Sequence, residues 1–179
     1  MSVSSTVFGY HVQYLYTLYR MIESADSKEV FVPEGREDLD IYLNDQIIET
    51  IQVKCYSGTI VYSDLFSKGK STSLFSRGKD SLAENSNVKI SFVAVGHGND
   101  KGVISDRLTK VSSLVKSLKK EETLLLDYAS SKELAAKILW QSKSQVELEN
   151  YVESVLKNRF PSIDPLIVMD YLVQWICYL

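Results

Sequence analysis

Residues Pro33–Tyr56 read P-E-G-R-E-D-L-D-I-Y-L-N-D-Q-I-I-E-T-I-Q-V-K-C-Y. Side chains along a strand alternate between its two faces. Leu39, Ile41 and Leu43 therefore share one face, with Asp38, Asp40 and Tyr42 on the other. In the second half, Ile51, Val53 and Cys55 point one way and Thr50, Gln52 and Lys54 the other. The pattern predicts two half-buried strands, Asp38–Leu43 and Ile47–Cys55, joined as a hairpin by Asn44-Asp45-Gln46. If both apolar faces meet one core, opposed position numbers sum to an even value and the loop is odd in length. A three-residue loop opposes Asp40 to Thr50 and Asp38 to Gln52. Asp40 is then a diagonal neighbour of Gln52, with α-carbons roughly 7–8 Å apart.

Upstream, Phe8, Val12, Leu15, Tyr19 and Ile22 recur at helical spacing, which predicts a helix from Thr6 to about Glu23 with Ser5 or Thr6 as its cap. Val30-Phe31-Val32 reads as a short strand ended by Pro33 and Gly35. Downstream, Val88–Val95 (VKISFVAV) is an apolar strand running into the turn Gly96-His97-Gly98. A helix carrying Leu108, Val111, Leu114, Val115 and Leu118 follows, then a short strand at Thr123–Leu126, then helix from about Ser131 onward. Helix, three strands, an irregular helical region, strand, helix, strand and helices describe an α/β chain: a mixed sheet with helices packed against it.

The 179 residues suit a single domain, with an α/β core over about 6–130 and a helical extension over about 131–179. The composition, 45% hydrophobic and 24% charged, is that of a soluble globular chain. Two cysteines, Cys55 and Cys177, lie far apart, which argues against a disulfide scaffold or a zinc finger and fits a reducing cytosol. The start MSVSSTVFG lacks the basic and apolar regions of a secretory signal, and no run approaches the length of a membrane span. The net charge of −3 argues against bulk packaging of nucleic acid but is compatible with a local basic groove. Residues 165–179 read as an amphipathic helix with Asp170 and Gln174 on its polar side. With no capping glycine or polar tail after it, we expect the chain to be the N-terminal module of a longer protein.

The chemistry that fits an acid, an amide and an ammonium on one face is phosphodiester hydrolysis. A carboxylate with further oxygen ligands holds a hard divalent ion such as magnesium, which polarises a phosphoryl oxygen and activates water. A lysine beside it stabilises charge developing in the transition state or orients the attacking water. Asp40, Gln52 and Lys54 supply these parts in chain order. Glu34, Glu37, Asp38 and Asp40 crowd four carboxylates into seven residues, which repel unless a cation sits among them. Glu34, Glu37 or Asp38, together with the Val53 carbonyl, can support a site whose amide ligand, Gln52, is neutral.

The spacing D-x(11)-Q-x-K on a hairpin that follows a helix and a strand resembles the PD-(D/E)XK nuclease superfamily. More narrowly, GYHVQ near the N-terminus, PEGREDLDI and TIQVK resemble the double-stranded-DNA endonucleases associated with bacterial CD-NTases, and the similar domains fused to antiviral STAND NTPases. The motifs cover residues 8–56, and element order extends the resemblance to about 130. It implies a restriction-endonuclease-like fold and a metal site at Asp40, Gln52 and the Val53 carbonyl, with Lys54 as catalytic partner. It matches Gln13 to the family's helix glutamine, in a supporting role. It also implies Mg2+, with Mn2+ as substitute, a double-stranded DNA substrate, and an effector role in antiphage defence in the bacterial cytoplasm. Cutting both strands takes two active sites, so we expect a homo-oligomer on activation, governed by a C-terminal regulatory or sensor region. The alternative is a non-catalytic nucleic-acid-binding or assembly module on the same fold, a reading that the neutral Gln52 favours.

Residues 65–79 hold a short duplication, LFSKGK then LFSRGK, with four cations and no acid between Lys68 and Lys79. Serine hydroxyls, glycine-exposed amides and cations are phosphate-contacting groups, and we assign Lys68, Lys70, Arg77 and Lys79 to the DNA backbone. Asp64–Ser71 ends like a phosphate-binding loop, but Asp64 replaces the first glycine and no apolar strand leads in, so an NTPase is excluded. His97 reads as a loop residue, His11 as structural, and Trp140 and Trp175 as packing residues. No serine or cysteine has a recognisable base partner, so covalent catalysis finds no support.

Overall fold

The computed structural model describes residues 3–56, 74–96, 134 and 136–176. At its centre stands the predicted hairpin, β2 (Leu39–Leu43) against β3 (Gln46–Tyr56). Asp40 faces Thr50, as the parity argument requires, but the means differ from the expected three-residue loop. Gln46 belongs to β3 and pairs with Leu43, leaving Asn44-Asp45 as a two-residue turn with φ of 51° and 62°. Two successive positive φ values mark the primed turn whose twist matches that of paired strands, and Asn and Asp tolerate them. The register then shifts between Ile41 and Tyr42: Tyr42 faces Ile47 and Ile41 faces Glu49, so Ile48 is an extra residue on β3. This bulge restores the parity that the even-length turn would have broken.

The sheet runs β1 (Glu29–Pro33), β2, β3, β4 (Lys89–Gly96) and β5 (Ile138–Ser144). The first three strands are antiparallel neighbours, while β3–β4 and β4–β5 are parallel. One face is covered by α1 (Val3–Glu23), α3 (Gln145–Arg159) and α4 (Pro165–Ile176). Val12, Leu15 and Tyr16 of α1 meet Ile41, Ile51, Val53, Val93 and Val95 of the sheet, with Leu148, Val152 and Val173 closing the core. Each such side chain contributes roughly 1.5–3 kcal/mol by leaving water. The other face carries α2 (Leu74–Glu84), whose Gly78 lies so close to Ile90 and Leu134 that an added Cβ would stand 3.2–3.3 Å from their side chains. This is the α/β, restriction-endonuclease-like arrangement: a mixed five-stranded sheet flanked by helices, with a helical C-terminal part. Among the described residues no helix is long and apolar enough to cross a membrane.

Two expectations are corrected. Ile138–Ser144 is a strand, not helix; the described residues just before it, Leu134, Ala136 and Lys137, are helical as expected, and helix resumes at Gln145. Ser144 ends β5 and caps α3, accepting from the Glu147 N–H while Glu147 accepts from its own, a capping box that fixes the boundary. Trp140 packs its ring 5.5 Å from Phe92, but Trp175 is 47% exposed and does not pack as expected. His97 and Gly98, the helix through Leu108–Leu118, the strand at Thr123–Leu126 and the Asp64–Ser71 segment lie outside the described residues.

Candidate active site

The α2-facing side of β3 presents Thr50, Gln52 and Lys54 in alternation, and the turn from β1 to β2 delivers the acids to it. That turn is held by backbone and side chain together. Glu34, at φ 53°, donates its N–H to the Asp38 carbonyl at 3.1 Å. The Arg36 N–H donates to Asp40 Oδ2 at 2.7 Å, and the Thr50 hydroxyl donates to Asp40 Oδ1 at 2.7 Å. Asp40 is 1% exposed, so both oxygens are engaged inside the protein. Gly35 is required here, because a Cβ would sit 2.5 Å from Asp40 Oδ2. Asp40 thus lies on the expected face, but it ties the turn to β3.

At Asp38 the charge of Lys54 is the strongest counter to burial. Asp38 precedes β2 and does not pair with Gln52 across the ladder; its Oδ2 instead accepts the Val53 N–H at 2.7 Å. Burial raises its carboxyl above the usual range, while Lys54, the Val53 amide, a Gln13 hydrogen bond and Arg77 pull it back. Val53 therefore enters the site through its N–H. Gln13, which α1 brings to Asp38, leaves its Oε1 buried without a hydrogen-bond partner.

Glu37 completes the cluster. It is 2% exposed, and burial pushes its carboxyl up to about 8, against the attraction of Arg77 and Lys54 and with the repulsion of Asp38 and Asp40. Glu34 is raised too, by burial and then by Asp38, with Lys54 and Arg77 opposing. Arg77 Nη2 lies 2.8 Å from Glu37 Oε2, yet neither Glu37 oxygen has an aligned hydrogen bond. Arg77, expected on a DNA-contacting surface, thus turns into the acidic cluster. Lys79, on the same helix, is exposed, and Lys68 and Lys70 lie outside the described residues.

Gln52 is 4% exposed, and its Oε1 has no hydrogen-bond partner. An unpaired buried carbonyl oxygen costs about 1–3 kcal/mol unless something occupies it. Among the described residues no three His, Cys, Asp or Glu converge as a metal cage. Magnesium does not need one: it binds through one or two carboxylates and keeps several waters. The oxygens on hand for such a set are those of Glu37 and Asp38 in the turn, and the buried Gln52 Oε1 on β3, which are the kind of donor a hard divalent ion takes. A separate 350 Å³ cavity, lined among others by Tyr16, Arg20, Glu29 and Gln141, shares none of these residues.

The position of Asp38 was named by sequence only as a supporting acid, and the role of Arg77 within the site was not foreseen. The sequence signal for the first is Glu34-Gly35-Arg36, a turn tripeptide placed so that the chain folds back onto Asp40. The second has no signal beyond the duplication, in which Arg77 stands where the first copy has Lys68.

A family model described as Cap4, dsDNA endonuclease domain, matches residues 4–161. No curated protein and no solved structure matches the chain. With an oxygen-rich cluster and a lysine gathered on one sheet face, and with that match spanning most of the 179 residues, the chain belongs to the Cap4 family of double-stranded-DNA endonuclease domains.

Proposed function

We propose that the chain hydrolyses phosphodiester bonds of double-stranded DNA with a divalent ion, Mg2+ or Mn2+, held by Asp38, Glu37 and the Gln52 amide oxygen, with the Val53 carbonyl as a further candidate. The observation that carries this reading is the buried, unpartnered Gln52 Oε1 on the same face of β3 as Lys54, on a strand whose Val53 amide holds the Asp38 carboxylate at 2.7 Å. When bound, such an ion polarises a phosphoryl oxygen and acidifies water. The chain's own residues do the rest. Asp38 is oriented by the Val53 N–H and by Gln13, which fix its carboxylate. Lys54, whose positive charge favours the ionised forms of Glu34, Glu37 and Asp38, is the group we assign to charge developing on the phosphate oxygens. Asp40 holds the acidic turn rigid through Thr50 and Arg36, which keeps the donors in place without spending binding energy on reordering.

Lys68, Lys70 and Lys79 are proposed to contact the DNA backbone, and Arg77 to do so only when it leaves Glu37. The family match supports the nuclease part of this reading; an effector role in bacterial antiphage defence, in the cytoplasm, is proposed from the resemblance alone. It is also the basis for proposing a homo-oligomer on activation, since two active sites are needed to cut both strands, under control of a C-terminal region. The test is plasmid cleavage with magnesium by wild type, Asp38→Asn and Lys54→Ala. Loss of cleavage by at least about 100-fold in both variants supports the enzyme. Equal background in all three supports the second reading, a non-catalytic DNA-binding or assembly module, which the neutral Gln52 ligand favours.

A further inference from the structure

The 350 Å³ cavity at the C-terminal end of α1 has the size of a small-ligand site, roughly 300–1,000 Å³, and shares no residue with the candidate active site. Both edge strands of the sheet reach it, β1 with Glu29 and β5 with Gln141, while α1 supplies Tyr16, Tyr19 and Arg20. Every lining residue except Ala25 carries a polar group, so the cavity is built for a polar guest. Several of these groups have bonding capacity to spare. The Tyr16 hydroxyl is fully buried without a hydrogen-bond partner. Burial pushes it up to about 12 against the pull of Arg20, so it stays a neutral O–H. A guest that accepts from it removes the penalty of a bare buried donor. Arg20 gives Nη2 to Glu49 at 2.8 Å, which leaves Nε and Nη1. Glu49 spends its other oxygen on Ser91 at 2.6 Å, so that network is closed and fixes the guanidinium. Glu29 accepts from Ser24 through Oε2 alone, and the Gln141 amide has no partner among the described residues. Glu23, by contrast, accepts from the hydroxyls of both Tyr19 and Tyr151.

Charge narrows the guest further. Arg20, and Lys143 held over the Tyr19 ring, stand against Glu23, Glu29 and Glu49, an excess of one acid that disfavours an anion. The guanidinium beside Tyr16 disfavours a cation at that end. What remains is a neutral guest with acceptors for Arg20 and Tyr16 and donors for Glu29. We propose that this cavity binds a nucleobase, guanine in preference to the others, either in a free nucleoside or as an unpaired base of a strand. Guanine is the base that offers both pairs of groups: O6 and N7 to a guanidinium, and N1–H with the N2 amine to a carboxylate. Adenine places an amine where guanine has O6, against the guanidinium. Tyr19, half-buried on the lining, offers ring surface of the kind on which bases stack. The inference does not depend on the metal-dependent reading above.

The test is titration calorimetry of the metal-free full chain with guanosine, inosine, 7-deazaguanosine, adenosine and ribose. The expected result is one guanosine per chain, with inosine (no N2 amine) and 7-deazaguanosine (no N7) each weaker by at least about fivefold. Adenosine and ribose are expected not to bind. Glu29→Gln, which keeps an acceptor for Ser24, and Gln141→Ala are each expected to weaken guanosine by a similar factor with the circular dichroism of wild type. The analogue series needs no variant, so it decides even where a substitution unfolds the chain. Guanosine that fails to bind the folded wild type, or binds no better than adenosine or ribose, overturns the proposal. So does guanosine binding that neither substitution changes. A metal-free DNA hairpin with one unpaired guanine, set against its fully paired counterpart, separates the two sources. Displacement of guanosine by the first alone assigns the base to a strand, and displacement by neither assigns it to the free nucleoside.

Discussion

Asp40 and Asp38 are two residues apart and of one chemistry, yet the fold gives them different work. Asp40 accepts from Thr50 and from the Arg36 amide, each at 2.7 Å, in full burial. Asp40→Ala strands both donors, at about 1–3 kcal/mol apiece, and its thermal midpoint is expected to fall well below that of wild type. Asp38→Asn removes a carboxylate that burial already disfavours, so its midpoint is expected to match or exceed wild type while cleavage is lost. Differential scanning calorimetry on the two variants separates the roles; a large loss in Asp38→Asn and none in Asp40→Ala would reverse them. Glu37 brings a pH dependence with a definite sign. Its carboxyl titrates near 8 in the folded chain against an ordinary 4.5. Between those values the folded state holds a proton that the unfolded state has released, so stability is full below about 4.5 and declines as pH rises toward 8. Metal-free melts from pH 5 to 8 should show this decline in wild type and a flatter profile in Glu37→Gln; parallel curves would contradict it. At this scale the sequence showed which residues share a face, because alternation is a property of any strand. It could not show which acid is tied up, because that depends on a turn closing around Gly35 onto an oxygen several residues away.

The hairpin and the fifth strand mark what local pattern can and cannot reach among the elements. The even-sum rule placed Asp40 opposite Thr50 correctly, because two apolar faces must meet one core. The rule led to the expectation of an odd loop, but a two-residue turn plus a bulge satisfies it equally, and turn chemistry decided for that at Asn44-Asp45. Glycine is the preferred second residue of such a turn. Asp45→Gly is therefore expected to raise the melting midpoint by about 1–2 °C without altering cleavage, and a fall would argue that the Asp45 side chain has a role of its own. Ile138–Ser144 escaped because ILWQSKS does not alternate cleanly and no glycine, proline, asparagine or aspartate separates it from Gln145. Its strand identity comes from parallel pairing with β4, a long-range contact that no short window contains. The Ser144 capping box was within reach of pattern reading, since serine with glutamate three residues on is its signature. Ser144→Ala is expected to cost about 1 kcal/mol in a denaturant melt.

For the whole molecule, the division of labour between the two sheet faces is the organising fact. One face, under α1, α3 and α4, holds the apolar core. The other, facing α2, carries Gln52 and Lys54 on β3, with Glu37 buried beside Arg77 and its carboxyl pushed up by burial. The fold class was legible from element order, and the family from three short motifs, because both are written in local sequence. The answering cation from α2 was not, because Arg77 reaches the cluster only when the sheet and helix are assembled. The most direct test of the central claim is supercoiled-plasmid cleavage by wild type with magnesium, with magnesium plus excess chelator, and by Lys54→Ala with magnesium. The account predicts linear product in the first reaction alone. Equal cleavage in all three, or none in the first while the protein is folded and assembled on DNA, would contradict it.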